Sequence, residues 1–166
     1  MAQYIEKHQA PVRVVQCGRE PLQGFLVLAA RTPDHEGPET VLDLLNRPGR
    51  VIPLVRDSAD HVLLLTRMNI DWVAPDPLVH ANLVCPSTYT VTRQERVVLR
   101  FADGEALEGL VQMVQCGESD RLSDFLNRPE DFFPLVTSGG RVLVNKNRVR
   151  ETLVFQASPR PAAGRR

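Results

Sequence analysis

Apolar and polar residues alternate along two neighbouring stretches in the second half of the chain, which predicts a β-hairpin. The stretches are RVVLRF at residues 96–101 and EALEGLVQMVQ at residues 105–115. Such alternation is typical of half-buried strands, and the Asp103-Gly104 pair between them is a strong signal for a tight turn. Gly109 lies inside the second strand, where glycine usually marks a bulge or a bend. We therefore expect a bent second strand, which a small barrel needs to turn its corner.

The spacing of apolar residues changes to three and four in the stretch SDRLSDFLNRP at 119–129, which predicts a short helix. Leu122, Phe125 and Leu126 share one face of this helix. Ser119 can cap its start. Asn127 suits a left-handed position at its end, and the proline two residues later prevents its continuation.

Three further strands are predicted after the helix, at residues 132–136 (FFPLV), 141–145 (RVLVN) and 149–156. A Ser-Gly-Gly turn separates the first two. The segment KNR at 146–148 is a plausible single-turn connector before the last. Five strands with one short helix resemble an SH3-like or Sm-like small barrel.

The first half of the chain repeats this pattern. ETVLDLLNRPGRVIPLV at 39–55 corresponds to DRLSDFLNRPEDFFPLV at 120–136, and the flanking stretches also correspond. Gly24 occupies the place of Gly109, and Asn46 the place of Asn127. A repeat of this length indicates two copies of one small fold. Since a domain of about 60 residues buries only about 60% of its unfolded surface, we expect the copies to pack together.

The fold class expected from these patterns is mainly β, with two tandem five-stranded SH3-like or Sm-like small barrels, each with one short helix, packed as a pseudo-dimer. An N-terminal arm is expected at 1–10 and copy one at 11–74. An ordered linker follows at 75–92, copy two at 93–156 and a disordered tail at 157–166. The insertion RTPDHEGPE at 31–39 has the composition of a mobile surface loop.

Copy two also resembles a family. The stretch 94–155, with FADG, LEG, RLSDFLN, FFPL and VNKNRV, is similar to uncharacterised bacterial small-barrel proteins that carry an RLSD-[FY]-LN motif. Copy one resembles them more weakly, since TVLDLLN stands in place of RLSDFLN. The resemblance implies a small-barrel fold and brings no established activity.

Composition and charge narrow the classes of function. The chain is 43% hydrophobic and 24% charged, as in ordinary soluble globular proteins. Its 20 basic and 20 acidic residues cancel, whereas nucleic-acid binders usually show a basic excess. No apolar run approaches the ~20 residues of a membrane span, and the N-terminus lacks the apolar core of a signal peptide. We therefore expect a cytoplasmic protein that does not contact membranes.

Catalytic and metal-binding patterns are not found. The thiols of Cys17, Cys85 and Cys116 lack the close spacing of a zinc site and are expected to be reduced. The phosphate-binding glycine loops and the nucleophile-elbow motif are absent from the sequence. We expect no enzyme, no cofactor and no metal.

The histidines and the acidic residues also show no pattern typical of a catalytic or metal site. The four histidines are His8, His35, His61 and His80, and they are expected to be scattered on the surface because none has a counterpart in copy two. Asp120 and Asp124 form a dense acidic pair, for which a solvated helix face is the favoured interpretation because no partner base accompanies them.

The repeated polar residues have two interpretations. Asp43 precedes Arg47 by four residues, as Asp124 precedes Arg128, which is the favourable order for a helical ion pair. In that interpretation the pairs and asparagines only secure the helix ends. In the other, copy two presents a ligand or partner surface, whose candidate residues are Arg121, Asp124, Asn127, Arg128, Lys146, Asn147 and Arg148.

Two functions follow. The favoured one is a scaffold or adaptor that binds a protein partner or itself, since small barrels bind through loops and exposed strand edges. The alternative is an Sm-like protein that binds nucleic acid (RNA). FADGEALEGLV resembles the first Sm signature, but VLVNKNRV replaces the Arg-Gly pair of the second. A phosphate-facing patch would then consist of Arg93, Arg96, Lys146, Arg148 and Arg150.

Overall fold

Both halves of the chain fold into the same succession of elements: two strands, a short helix, two strands, a 3-10 turn and a fifth strand. The computed structural model describes residues 7–56, 61–114 and 121–155. The first half consists of β1 (Lys7–Gln16), β2 (Leu22–Ala29), α1 (Val41–Asn46), β3 (Val51–Val55), β4 (Val62–Thr66), the turn Arg67–Asn69 and β5 (Ile70–Pro75). Helix α2 (Ala81–Val84) lies between the halves. The second half consists of β6 (Arg93–Phe101), β7 (Ala106–Met113), α3 (Leu122–Leu126), β8 (Phe132–Thr137), β9 (Gly140–Asn145), the turn Lys146–Arg148 and β10 (Val149–Val154).

The ten strands form one antiparallel sheet in the order β10-β6-β7-β8-β9-β5-β1-β2-β3-β4. Within each half the order is fifth, first, second, third and fourth strand. The halves meet where β5 pairs with β9, with Trp72 opposite Val144 and Val73 opposite Leu143. The mainly β class is therefore confirmed. Two separate tandem barrels are not confirmed, because the described residues share one sheet that is not closed.

The two glycines inside strands mark close backbone crossings. A Cβ atom at Gly24 would lie 2.5 Å from the carbonyl oxygen of Val55, and one at Gly109 would overlap the carbonyl oxygen of Val136. At these points β2 passes from β1 to β3, and β7 passes from β6 to β8. Only glycine, which has no Cβ atom, allows the paired backbones to approach so closely at both points.

Two apolar clusters form the core, and each takes residues from the other half. The cluster of the first half includes Phe132 and Leu143 from the second half. The cluster of the second half is contacted by Trp72 and Ala74 from the first. The Trp72 ring lies 5.1 Å from the ring of Phe101 between centroids. The halves thus bury apolar surface against each other, as their small size leads us to expect.

The segment between the halves is packed on both of them. Val84 and Cys85 are buried in the first cluster. The Tyr89 hydroxyl donates a 2.7 Å hydrogen bond to the carbonyl oxygen of Gln112 in β7. No helix among the described residues combines the length and the apolarity that crossing a bilayer requires.

The expected left-handed conformation of the asparagines at the helix ends is wrong. Asn46 is the last residue of α1, and Asn127 follows α3 with a φ of −85°. Neither is left-handed, and within the described residues only glycines have a positive φ. Several residues named above lie outside the described ranges: Cys116, Ser119, Asp120 and the tail at 157–166.

Candidate functional site

A groove of about 620 Å³ lies at the junction of the two halves, between α1, α3 and the segment that follows α2. Its walls are largely apolar and include Leu42, Tyr89, Phe125, Leu126, Phe132 and Phe133, and charged side chains also line it, among them the carboxylates of Asp34, Glu39, Asp43 and Glu130. The volume is in the range of ligand-binding clefts, which are usually apolar with a few polar groups. Because both halves supply the walls, the groove depends on the way the repeat is assembled.

Local sequence signals fix the α1 side of the groove. The Thr40 backbone N–H donates to the Asp43 carboxylate at 2.8 Å, and the Asp43 backbone N–H donates to the Thr40 hydroxyl at 3.2 Å. This reciprocal arrangement is a capping box, which sets the start of the helix. Leu42 is consequently held at the groove while Val41 and Leu45 point into the core.

Aromatic contacts fix the α3 side. The rings of Phe125 and Phe133 meet edge to face with centroids 6.3 Å apart. The Arg128 guanidinium lies 5.2 Å from the centroid of the Phe125 ring. Such stacking holds the cation at the rim of the groove while its charge remains accessible.

Three cations line the rim, and their partners differ. Arg47 forms an ion pair with the buried carboxylate of Glu39. Arg128 donates from Nη2 to the carbonyl oxygen of Val114 at 2.7 Å, and the Lys146 ammonium donates to the carbonyl oxygen of Arg128. Among the residues that the structure describes, no carboxylate lies within ion-pair distance of Arg128 or Lys146. These two side chains bring positive charge to the groove, whose lining also includes the exposed carboxylates of Asp34 and Glu130.

The seven candidate residues of copy two do not form one surface. Arg128 and Lys146 are the two that line the groove. Arg121 and Asp124 are exposed at the start of α3 and are not among its lining residues. Asn127 is exposed at the end of α3.

Asn147 and Arg148 have structural partners. The Asn147 amide donates to Asp131 at 2.8 Å and to Asn145 at 3.1 Å. Arg148 donates from Nε to the buried Asp71 carboxylate at 3.1 Å, which links the two halves. Arg148 therefore has a structural role at the junction, and Asn147 has one within the second half.

The expected ion pair between Asp43 and Arg47 is wrong. Asp43 accepts hydrogen bonds from Thr40 and lies 2.6 Å from Nε2 of His35, while Arg47 pairs with Glu39 instead. The physical reason is the capping box, because it turns the Asp43 carboxylate towards the start of the helix. The T-x-x-D pattern at 40–43 is the signal that identifies this role in the sequence.

His35 is also not the exposed histidine that was expected. Its side chain is only 5% exposed, with Nδ1 2.8 Å from the carbonyl oxygen of Glu36. The hydrogen bonds to Glu36 and then to Asp43 raise the pKa of this imidazole above its usual value. The 31–39 insertion is thereby fastened to α1.

Sequence reasoning also missed the main polar contact between the halves. The Asn46 side-chain amide donates to the carbonyl oxygen of Phe132 at 3.1 Å and accepts from the Phe132 backbone N–H at 2.8 Å. The recurrence of this asparagine in D-x-L-N-R-P is a signal for it, although a helix-end role is the more usual meaning of such a residue.

Thiol and carboxylate groups gather at one further point. Cys17, Asp71 and Asp103 place their ligand atoms within 4.8 Å of one another. Burial raises the pKa of the Cys17 thiol and of the Asp71 carboxyl, and Asp71 already holds Arg148. Burial likewise raises the pKa of Cys85 to about 11.

Comparison of the chain with family models, curated proteins and solved structures found no match.

Proposed function

We propose that this protein is a non-enzymatic scaffold or adaptor that binds a protein partner in the groove between its halves. We further propose that each half is an SH3-like or Sm-like small barrel of the RLSD-[FY]-LN type. The identical strand order in the two halves supports this view. Free thiols at Cys17 and Cys85 suit a cytoplasmic location.

The apolar groove with two accessible cations carries the proposal. The half-buried Phe125 and Leu126, backed by the buried Phe133, offer a wall that buries aliphatic or aromatic side chains of a partner. Arg128 and Lys146 stand beside that wall and favour a carboxylate. The partner is therefore a peptide segment that combines apolar side chains with an Asp, a Glu or a C-terminal carboxylate.

Two of the four described carboxylates that line the groove, those of Glu39 and Asp43, have structural partners, which supports a non-enzymatic role. Glu39 accepts from the Ala29 backbone N–H at 3.2 Å and pairs with Arg47. Asp43 is occupied by the capping box and by His35. Carboxylates with these structural partners are not available as general acids or bases.

Nucleic-acid binding receives less support and remains the alternative. In the patch considered for phosphate contact, Arg93 pairs with Glu95, Arg96 with Glu108 and Arg148 with Asp71. Phosphate binding depends on cations that release counterions, and these three arginines are already neutralised by carboxylates.

Selection of random peptides displayed on phage against the immobilised full chain tests the groove. We expect selected peptides to contain apolar residues next to an acidic residue. Leu126→Arg or Lys146→Glu should reduce their binding by tenfold or more, on the order of the ~1.4 kcal/mol that a tenfold change represents. Leu78→Lys is the matched control, because Leu78 is 94% exposed and lies outside the groove. Selected peptides that bind the groove variants and the control equally would refute the groove as the site.

A further inference from the structure

The two halves meet at the β5·β9 strand pair, which we call the joint. The two strands at the ends of the sheet are the repeat counterparts of these two strands. The 3-10 turns align Arg67 with Lys146, so β4 corresponds to β9 and β5 to β10. Strands β9 and β5 pair with each other, whereas β4 and β10 each have one edge without a partner in the described part of the sheet. The sheet thus has β4 at one end and β10 at the other, and these strands are equivalent by the repeat to the β9 and β5 strands that pair at the joint.

Apolar residues that are buried at the joint have exposed counterparts on β3 and β4. Leu143 is fully buried and Phe132 is 2% exposed, both in the cluster of the other half. Their counterparts are Leu64, which is 65% exposed, and Val51, which is 49% exposed. An exposed, apolar edge strand is a surface for strand addition.

The opposite end of the sheet presents a matching apolar surface. Leu153, Val154 and the following Phe155 are 43%, 47% and 44% exposed. Leu153 is the counterpart of Ala74, which packs across the joint against the core of the second half. Leu153 and Phe155 lie on one side of the chain and Val154 on the other. The counterparts of Trp72 and Val73 are Glu151 and Thr152, so a neighbour that added to β10 would bury less apolar surface than the joint does.

The polar contact that Asn46 makes across the joint also has counterparts at the ends of the sheet. Asn46 holds the backbone N–H and carbonyl of Phe132 across the joint. Its counterpart Asn127 is exposed after α3. The counterpart of Phe132 is Val51, at the exposed start of β3.

We propose that β10 of one chain adds to β4 of a second copy and repeats the internal joint between chains. Transfer of the β5·β9 register places Glu151 opposite Leu65 and Thr152 opposite Leu64 of the second copy. Asn127 then bonds the backbone of Val51. The interaction goes beyond the groove function, since it uses the sheet edges.

The interface is head to tail, because the two edges differ. Each added chain leaves one β4 and one β10 edge open, so the assembly closes into a ring or extends as a filament. Three polar contacts of the joint are not repeated. The Arg148–Asp71 pair is replaced by Asn69 and Arg150. The Arg67–Asp131 pair is replaced by two cations, Lys146 and Arg50, and Thr66 replaces Asn145, whose amide donates to the carbonyl oxygen of Arg67. Association between chains is therefore weaker than the internal joint and depends on concentration.

Sedimentation velocity of the purified full chain, from low to high micromolar concentration, tests the proposal. We expect the wild-type mass to rise with concentration. Leu64→Lys blocks the β4 edge and Leu153→Lys blocks the β10 edge, so each variant alone should remain a monomer. An equimolar mixture of the two should form a dimer and nothing larger, because one intact edge of each kind is available. Leu78→Lys should assemble as the wild type does.

Several outcomes would overturn the proposal. A wild-type chain that stays monomeric at the highest concentration has no such interface. A symmetric interface would leave one of the two blocked variants able to dimerise alone, and the mixture would then show no advantage. Thermal unfolding by circular dichroism separates these outcomes from misfolding, since lysine at these exposed positions should leave the transition unchanged.

Discussion

Asn46 bonds both backbone groups of Phe132, a residue 86 positions away, with distances of 3.1 Å from its amide nitrogen and 2.8 Å to its amide oxygen. Phe132 is 2% exposed, so neither backbone group has ready access to water. One side chain thus satisfies two polar groups at the first residue of β8. The contact fixes α1 of the first half against the second half, which gives the groove its two walls.

Removing this side chain should destabilise the protein. We expect Asn46→Ala to lower the free energy of unfolding by about 2 to 3 kcal/mol, because two buried backbone groups lose their partner. Asn127→Ala is the matched control, since the same residue in the other copy is exposed and should cost less than about 0.5 kcal/mol. Urea unfolding at low micromolar concentration measures both. Equal losses from the two substitutions would contradict the role of Asn46 at the joint.

Leu143 and Leu64 occupy equivalent positions in the repeat but should differ strongly in their contribution to the free energy of unfolding. Leu143→Ala removes a fully buried side chain from the core of the opposite half and should cost about 2 to 5 kcal/mol. Leu64→Ala acts on a side chain that is 65% exposed and should change the free energy of unfolding by less than about 0.5 kcal/mol. Denaturant unfolding of the monomer measures both values. Similar costs would mean that the halves do not interlock as described.

The sequence predicts the elements of this fold better than the way they are joined. The Asp103-Gly104 turn, the strand glycines and the helix spacing are local signals, and each corresponds to a feature of the structure. Strand β9 pairs with β8 on one side, and its other edge could close onto β10 of its own half or pair with β5. The outcome is decided by contacts between residues about 70 positions apart, such as Trp72 and Val144. The local pattern is the same in both cases, so the expectation of two packed barrels missed the shared sheet.

The residues of the candidate site are likewise only partly predictable from local sequence patterns. Arg128 and Lys146 were selected as polar residues of copy two, and the groove contains both. Phe125 was assigned only to the core face of the helix, although it also forms a wall of the groove. Asn46 was assigned to a helix end because asparagine is common there. Its actual partner is distant in sequence and leaves no local signal.

The hydrogen bonds of His35 predict a pH dependence of stability. They raise its folded-state pKa above the value of about 6.5 that it has in the unfolded chain. The protonated imidazole is therefore favoured in the folded state, and its contribution is fully present below the unfolded pKa. That contribution is lost as the pH rises through the folded pKa.

The His35→Gln variant isolates this effect. The difference in unfolding free energy between wild type and variant should be largest at mildly acidic pH and should shrink as the solution becomes alkaline. An NMR titration of the His35 ring should show the raised pKa directly. A stability difference that stays constant with pH, or grows towards alkaline pH, would contradict the assigned contacts with Glu36 and Asp43.

The close approach of β7 to β8 leaves no room for a side chain at Gly109. A Cβ atom there would overlap the carbonyl oxygen of Val136 and contact the side chain of Leu135 at 3.0 Å. We expect Gly109→Ala to lower the free energy of unfolding by about 1 to 3 kcal/mol, because the two strands must separate to accept the methyl group.

Gly139→Ala is the matched control, since the nearest atom to its added Cβ is the Thr137 hydroxyl at 3.8 Å, an ordinary contact. That substitution should stay within about 0.5 kcal/mol of wild type. Urea unfolding of both variants decides the question. If Gly109→Ala is as stable as Gly139→Ala, then β7 does not approach β8 at this point, and the continuity of the sheet from β6 to β9 is wrong.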